Sequence, residues 1–376
     1  MSALDELKGI AGTLTNPSLQ EWKSEGRKVI GFLCAYVPEE IIHAAGILPY
    51  RVRAVGCDQT SSADVYMSQV NCTFSRSCLE FALEDKYSFL DGLVFVWSCD
   101  NLRRVYDILR EIRPDTFPLL HFIDVPHKTT DAAIDRFTEE LESFKQALEQ
   151  TYGVEITDDK LKEAISVYNE TRSLLRQLYD LRQSKNPPLT GAEALSVVLA
   201  GTVIPKQQYN QLLKKLLEEL REREGISDYR ARLVIAGGGG CDDPEYFQIM
   251  EDLGGLIVND TICFGSRTFM EPVKVDDDPM AALARSYLNR PSCPRMPEKL
   301  AERTNSIKEM VEKSQADGVV FQRLRYCDLW GGEQLDITRK MKEANIPLLT
   351  LEREYRTSAT GQLKTRIQAF LERLEV

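Results

Sequence analysis

The sequence has no long hydrophobic run: nothing in its 376 residues approaches the ~20 apolar residues that cross a bilayer. The opening stretch, MSALDELKGIAG, also lacks the basic and apolar segments of a signal peptide. We therefore expect a cytoplasmic protein without a membrane segment. A net charge of −11 leaves few surplus basic groups, which argues against nucleic-acid binding.

Motifs for several common chemistries are also missing. Only three histidines are present, so a Cys/His nucleophilic pair has few possible partners. The two cysteines closest in sequence, Cys72 and Cys78, do not form the C-x2-C pair of a structural zinc site. Four glycines at 237–240 follow an apolar segment, but neither G-x-G-x-x-G nor a GKS or GKT motif occurs, so the glycines predict a turn and not a nucleotide site.

One strand-like segment is present twice, and each copy ends in Cys-Asp. DGLVFVWSCD ends at Cys99-Asp100, and DGVVFQRLRYCD ends at Cys327-Asp328. A buried parallel strand delivers the residues after its carboxyl end into the crevice where α/β proteins bind ligands. Two such strands predict two α/β halves that face one site, and paired soft ligands indicate a metal or an iron–sulfur cluster.

The hydrophobic pattern divides the chain into three parts. Short apolar segments alternate with helical ones at both ends of the chain, which predicts parallel sheets. Between them the apolar residues recur at helical spacing, which indicates a helical insert or cap. We predict an α/β fold with domains at 1–128, 129–228 and 229–376, the first and last built on a parallel sheet and the middle one helical.

Nine cysteines in a chain of this kind are not expected to form disulfides, because the cytosol keeps thiols reduced. Each of them can be a small buried hydrophobic residue. That interpretation is weaker where cysteine has polar neighbours at a strand or loop end, as at Cys72, Cys99, Cys263 and Cys327. Cys34 and Cys293 are further candidates.

Segments in order along nearly the whole chain resemble the benzoyl-CoA reductase and 2-hydroxyacyl-CoA dehydratase family. They are FLCAYVPEE at 32–40, AGILP at 45–49, NCTFSRS at 71–77, SCDNLRR at 98–104, NDTICFGSR at 259–267, YLNRPSCP at 287–294, YCDLWGGE at 326–333 and GQLKTRIQAFLE at 361–372. The resemblance implies two Rossmann-like α/β domains with a helical domain, in agreement with the hydrophobic pattern.

The resemblance also implies a cofactor and its ligands. Cys72, Cys99 and Cys327 would bind a 4Fe-4S cluster and leave one iron open, with Cys78 as a weaker substitute for Cys72. Some relatives hold an 8Fe-9S double cubane, in which case Cys263 and Cys293 would be additional ligands.

The chemistry implied by the resemblance is the addition of a low-potential electron to an acyl-CoA thioester, which gives a ketyl radical. An ATP-hydrolysing iron–sulfur activator supplies the electron, and family members pair with a homologous subunit or form a homodimer. The residues after Cys327 favour a core subunit of a benzoyl-CoA reductase. The alternatives are a subunit of an (R)-2-hydroxyacyl-CoA dehydratase, a double-cubane reductase of small molecules, and a non-catalytic electron-relay or scaffold subunit.

An acyl-CoA substrate carries phosphates, which arginine binds well. Arginines lie at several segment ends, and the candidate substrate-binding residues are Arg76, Arg103, Arg267 and Glu40.

Overall fold

The computed structural model describes residues 1–275, 277–291, 293–355 and 360–375. Its strands form two sheets. The first sheet contains β1 (Val29–Phe32), β2 (Leu48–Arg51), β3 (Gly92–Val96) and β4 (Leu119–Ile123); the second contains β5 (Ala231–Gly237), β6 (Gly255–Asp260), β7 (Gly318–Leu324) and β8 (Leu348–Arg353). Every pair of neighbouring strands is parallel, which confirms the predicted α/β fold with two Rossmann-like sheets.

Helices cover the faces of both sheets. In the described residues they are α1 (Ala3–Ala11), α2 (Pro17–Ser24), α3 (Glu39–Ala44), α4 (Thr73–Leu83), α5 (Asp100–Ile112), α6 (Asp131–Tyr152), α7 (Asp158–Leu181), α8 (Gly191–Ala200), α9 (Lys206–Glu222), α10 (Pro244–Glu251), α11 (Pro279–Asn289), α12 (Leu300–Lys313), α13 (Asp328–Glu343) and α14 (Thr360–Leu374). None of these helices has the length and apolar character needed to span a membrane.

The two sheets share one topology. Their strand orders are β2-β1-β3-β4 and β6-β5-β7-β8. In each sheet the strand that comes second in the chain lies on one side of the first, and the third and fourth strands lie on the other side. A crevice opens at the carboxyl ends of the strands where this order reverses. The strands that precede Cys99 and Cys327, β3 and β7, each border that point.

Helix α8 differs from its neighbours because it is apolar on nearly all sides. Its sequence, GAEALSVVLA, gives no amphipathic period, and most of its residues are buried. Such a segment has no polar face from which a helical period could be predicted. The amphipathic helices α6, α7 and α9 account for the helical spacing that predicts the middle part of the chain.

The apolar core joins the two halves of the molecule. Two clusters of buried side chains can be distinguished, and each contains residues of both sheets. One cluster includes Phe95 of β3 and Leu233 of β5. The other includes Val94 of β3 and Val319 of β7. Shared packing of this kind fixes the carboxyl edges of the two sheets relative to each other.

Candidate metal centre

Cys72, Cys99 and Cys327 occupy the same local position. Each is the residue immediately before a helix: Cys72 before α4, Cys99 before α5 and Cys327 before α13. The first backbone N–H groups of a helix have no partner within it and carry partial positive charge. Asp100 and Asp328, in the first turns of α5 and α13, suit that charge. The three thiols therefore lie at helix ends that favour negative charge.

The thiols lie close enough to affect one another's ionisation. Burial raises the pKa of Cys99 well above its usual value, and the charges of Cys72 and Cys327 raise it further. Burial raises the pKa of Cys327 to about 12, with a further contribution from Cys72. The backbone N–H groups of Leu102 and Trp330, in the first helical turns, act in the opposite direction. Three thiols with pKa values raised in this way ionise readily only beside a compensating cation.

The four-glycine turn after β5 forms one wall of this centre. A Cβ atom placed on Gly239 would lie 3.8 Å from Cys327 Sγ, and one on Gly238 would lie 2.3 Å from Trp330 Nε1. Gly239 has φ = +61°, a conformation that favours glycine. The backbone at Gly238 therefore approaches Trp330 more closely than a side chain would allow, whereas a Cβ on Gly239 would only touch Cys327. Tyr326 also has positive φ, +61°, in the turn that leads from β7 to Cys327.

A hydrogen bond joins the other two cysteine segments. The backbone N–H of Cys72 donates to Asn101 Oδ1 at 3.0 Å, which ties the start of α4 to the first turn of α5. Thr73, the next residue, bonds the Glu354 carboxylate just after β8. Strand ends from both sheets thus contribute to one centre.

The three cysteines have the donor chemistry of an iron–sulfur cluster. Within the described residues, no three His, Cys, Asp or Glu side chains are arranged to hold one metal ion. A cubane binds each thiolate through a different iron, so its ligands lie farther apart than those of one zinc ion. Thiolates are the ligands that such clusters use. The three thiols at helix N-termini are therefore suited to hold a cluster.

A second group of thiols, Cys34, Cys263 and Cys293, lies beside the first. Cys263 Sγ accepts a hydrogen bond from Arg267 Nη1 at 3.0 Å. Burial alone would raise the pKa of Cys263, but the Arg267 guanidinium reverses the direction and lowers it. Cys293 Sγ lies 3.8 Å from Tyr36 Oη. Cys263 and Cys293 thus each have a polar side-chain partner, Arg267 and Tyr36 respectively.

Cys78 has different surroundings from Cys72. It lies inside α4 with 2% of its surface exposed, in the apolar core. Burial raises its pKa well above the usual value, and Asp242 and Tyr87 are its principal polar neighbours. The structure therefore associates Cys78 with the packing of α4 and not with the turn that carries Cys72.

Glu40 is enclosed in an internal network. Its side chain is fully buried, forms an ion pair with Arg172 of α7, and accepts a hydrogen bond from Tyr287 Oη of α11 at 2.6 Å. Burial raises the pKa of Glu40, but Arg172 and then Arg290 outweigh it, so that the pKa is lowered. With both carboxylate oxygens engaged, Glu40 connects α3 to two other helices.

The three predicted substrate-binding arginines lie in different places. Arg267 is buried beside Cys263, as described above. Arg76 is buried and donates to Asp64 and Thr60, each at 2.8 Å, at the edge of a cavity of about 450 Å³. Arg103 is 48% exposed and lies 4.6 Å above the ring of Trp97. Only Arg267 is among the groups around the cysteines.

Sequence reasoning missed some residues around the centre. Trp330 lies in the first turn of α13, against Gly238, and Tyr36 contacts Cys293. Arg51, by contrast, is one of the arginines that the sequence places at a segment end near the crevice; it donates to the Cys263 carbonyl at 2.9 Å and lies over the Phe264 ring. Trp330 and Tyr36 follow Cys327 and Cys34 by three and two residues, and this proximity was the available signal.

Two parallel sheets whose carboxyl edges meet near three cysteines, each directly before a helix, define this chain as an α/β protein. Residues 34–374 match the family model described as 2-hydroxyglutaryl-CoA dehydratase, D-component. The chain belongs to this family, which confirms the resemblance seen in its motifs. An iron–sulfur cofactor fits the family.

The relatives come from different enzymes. The chain is 29% identical to one of the subunits of benzoyl-CoA reductase of Thauera aromatica, over 89% of this chain and 88% of the relative. It is equally 29% identical to the beta subunit of (R)-2-hydroxyglutaryl-CoA dehydratase of Acidaminococcus fermentans, over 95% of both chains. The beta subunit of (R)-phenyllactyl-CoA dehydratase of Clostridium sporogenes is 26% identical, over 95% and 94%. Identity alone does not separate reductase from dehydratase.

Proposed function

We propose that this chain is an iron–sulfur subunit of an enzyme that acts on acyl-CoA thioesters, with Cys72, Cys99 and Cys327 as ligands of one 4Fe-4S cluster. The proposal depends on one observation: these three cysteines precede three helices, and they lie close enough that Cys72 and Cys327 raise the pKa of Cys99 and Cys72 raises that of Cys327. When bound, the cluster would supply low-potential electrons to the thioester. The helix N-termini would offset the negative charge of the thiolates.

The partners of the second thiol group favour one cubane over the 8Fe-9S double cubane. Cys263 already has a cationic partner, because Arg267 donates to its sulfur and lowers its pKa, so its negative charge is balanced without a cluster. Cys293 contacts Tyr36 Oη and accepts a hydrogen bond from the backbone N–H of Arg295 at 3.4 Å. We therefore assign Cys263 and Cys293 to the wall of the centre.

For the reaction, we propose the core of an activator-driven benzoyl-CoA (aryl-CoA) reductase, in which an ATP-hydrolysing iron–sulfur protein delivers the electrons. The residues after Cys327 and the similarity to a benzoyl-CoA reductase subunit support it. The second candidate is a subunit of an (R)-2-hydroxyacyl-CoA dehydratase, which the family model and the two dehydratase subunits favour. Both reactions use an acyl-CoA.

We also propose a paired assembly, because the relatives are named as subunits. We propose that this assembly is cytoplasmic, as expected from the sequence. The partner would be a homologous chain or a second copy of this one. Within the chain, we propose that 1–128 and 229–376 form the two halves of the centre and that 129–228 forms a helical domain. In this arrangement Arg267 faces the acyl end of the substrate and the exposed Arg103 faces the phosphates. Arg76 could bind a phosphate only by giving up its bonds to Asp64 and Thr60.

Iron and acid-labile sulfide per chain, measured with the reduced-state EPR spectrum on protein purified without oxygen, test the cofactor. On a 4Fe-4S site we expect about four irons per chain. About eight would support a double-cubane reductase, and no iron would contradict the proposal. Turnover with an activator, offered benzoyl-CoA or a 2-hydroxyacyl-CoA, then separates reductase from dehydratase.

The relay or scaffold alternative needs its own test. Arg267→Gln removes a cation next to the centre without removing any of the three proposed ligands. If this chain handles substrate, the variant should retain iron and lose acyl-CoA turnover. Unchanged turnover and acyl-CoA binding would support the relay role.

A further inference from the structure

A cavity of about 240 Å³ lies behind the cysteine centre, between α11, α12 and α13. Its inner wall includes Arg267 and Trp330, which also border the centre, and Ile307 contributes apolar surface. Arg290, Thr261, Ser306 and Asn289 provide polar groups. The volume is below the ~300–1,000 Å³ of pockets for drug-sized ligands, so the occupant must be small.

The arginines around this cavity differ in their hydrogen-bond partners. Arg303 is held by Glu333 and by the carbonyls of Cys293 and Met296. Arg267 donates to Cys263 Sγ and to the Pro291 carbonyl. Both arginines thus have fixed partners.

Arg290 is different. Among the hydrogen bonds of the described residues, its guanidinium makes one, from Nη1 to the Ala35 carbonyl at 3.2 Å, and a guanidinium has five N–H groups. It lies 3.4 Å above the Tyr287 ring, which holds its plane in place.

Among the described residues, no carboxylate forms a direct ion pair with Arg290. The buried Glu40, whose pKa Arg290 helps to lower, forms its ion pair with Arg172. On the cavity wall, Glu302 bonds Lys299 at 2.6 Å and is 66% exposed, and Glu271 is exposed as well. The open N–H groups of Arg290 therefore lie next to an apolar surface without a bound carboxylate.

We propose that this cavity binds the carboxylate of a small organic acid, with Arg290 as the principal anion-binding group. A fork of N–H donors matches the planar carboxylate, and Ile307 and Trp330 suit a short carbon stem. The acid is either free or the distal carboxylate of an acyl group carried by coenzyme A; only the second source depends on the proposed function.

Calorimetric titration of the whole protein with succinate tests the site, with succinamide as the neutral analogue and inorganic phosphate as a second anion. We expect succinate to bind and succinamide to bind at least tenfold more weakly, because a hydrogen bond to a charged group is lost. Binding should change the fluorescence of Trp330, and Trp330→Phe should remove that change but retain binding. Equal affinity for succinate, succinamide or phosphate, or no binding of succinate, would overturn the proposal.

Arg290→Gln is the decisive variant, and Arg285→Gln, an exposed arginine on the same helix, is its matched control. We expect Arg290→Gln to weaken succinate binding at least tenfold and Arg285→Gln to leave it unchanged. An unchanged affinity in Arg290→Gln with a native melting temperature would refute the assignment.

Succinyl-CoA and butyryl-CoA distinguish the two sources, because their acyl chains have equal length and differ in the distal carboxylate. If the acid arrives on coenzyme A, Arg290→Gln should weaken the binding of succinyl-CoA and leave that of butyryl-CoA unchanged. If the acid arrives free, the variant should weaken the binding of succinate and leave the binding of both thioesters unchanged. Iron content is measured on the same samples. Absence of iron would refute the cluster and leave the carboxylate result standing.

Discussion

The two halves of the molecule have the same sheet and different sites. Both sheets have the strand order second-first-third-fourth, and in both a cysteine follows the third strand and precedes a helix. The connections after the second strands differ. In the first half Cys72 precedes α4, whereas in the second half Cys263 is bonded to Arg267. The fold is thus repeated, but two of the three proposed ligands lie in the first half and one lies in the second.

The connections after the first strands differ too. In the first half Glu40 is buried with Arg172 and Tyr287, and its pKa is lowered. In the second half Asp242 is buried, accepts one hydrogen bond from Tyr355 Oη at 2.9 Å, and has a raised pKa because burial outweighs the charge of Arg53. Equivalent places in one fold therefore hold a well-compensated carboxylate and a poorly compensated one.

The largest effect should come from the three proposed ligands. We expect Cys72→Ala, Cys99→Ala and Cys327→Ala each to lose the cluster, since two thiolates hold it poorly and the neighbouring thiols of Cys263 and Cys293 already have other partners. Iron per chain should fall from about four to near zero, measured anaerobically with the melting temperature as a check of folding. Full iron in a folded Cys99→Ala or Cys327→Ala protein would refute the assignment.

Cys263→Ala tests whether the halves really differ. Although it follows the second strand as Cys72 does, we expect its iron content to stay near the wild-type value, because its sulfur is engaged by Arg267. Cys57→Ala, a buried cysteine outside both thiol groups, is the control. Loss of iron in Cys263→Ala alone would make the two connections equivalent as ligand sources.

Glu40→Gln should be the most destabilising single change outside the centre. The amide leaves the buried Arg172 guanidinium without its counter-ion, a loss of about 3–5 kcal/mol in the free energy of unfolding. The midpoint of urea unfolding measures it. Glu39→Gln, on the same helix but part-exposed and paired with Lys206, should cost much less. Similar losses in both variants would contradict the network.

Gly237→Ala tests the turn that only the second half contains. Gly237 has φ = +112°, and a Cβ there would lie 2.0 Å from the Gln322 carbonyl oxygen. Strain and overlap together should cost about 2–4 kcal/mol. Gly26→Ala is the control, because Gly26 has φ = +76° and no atom within 4 Å of the added Cβ, so only the strain remains. Equal losses in both would show that the contact with Gln322 relaxes.

The sequence predicted the strands and the proposed ligands but not their surroundings. Strands and cysteines have local signals: apolar runs bounded by turns, and Cys-Asp at two strand ends. Glu40 is an example. The sequence makes it a candidate for substrate binding but does not predict its partners Arg172 and Tyr287, which lie 132 and 247 residues away. Such pairs depend on how α3, α7 and α11 pack, which one sequence does not encode locally.

Asp242→Asn should have the smallest effect and the opposite pH dependence to Glu40. A carboxyl whose pKa is lowered by folding, as in Glu40, contributes stability above its unfolded pKa of about 4.3, and this is lost as pH falls. A carboxyl whose pKa is raised, as in Asp242, contributes stability below about pH 3.9, which is lost as pH rises through its folded pKa.

The asparagine of Asp242→Asn cannot ionise and retains an oxygen for Tyr355. We therefore expect the variant to lie within about 1 kcal/mol of wild type at pH 7 and to gain relative to it as pH rises, in urea unfolding from pH 5 to 8. A loss as large as that of Glu40→Gln would mean that Asp242 is held as an anion, and the contrast between the halves would disappear.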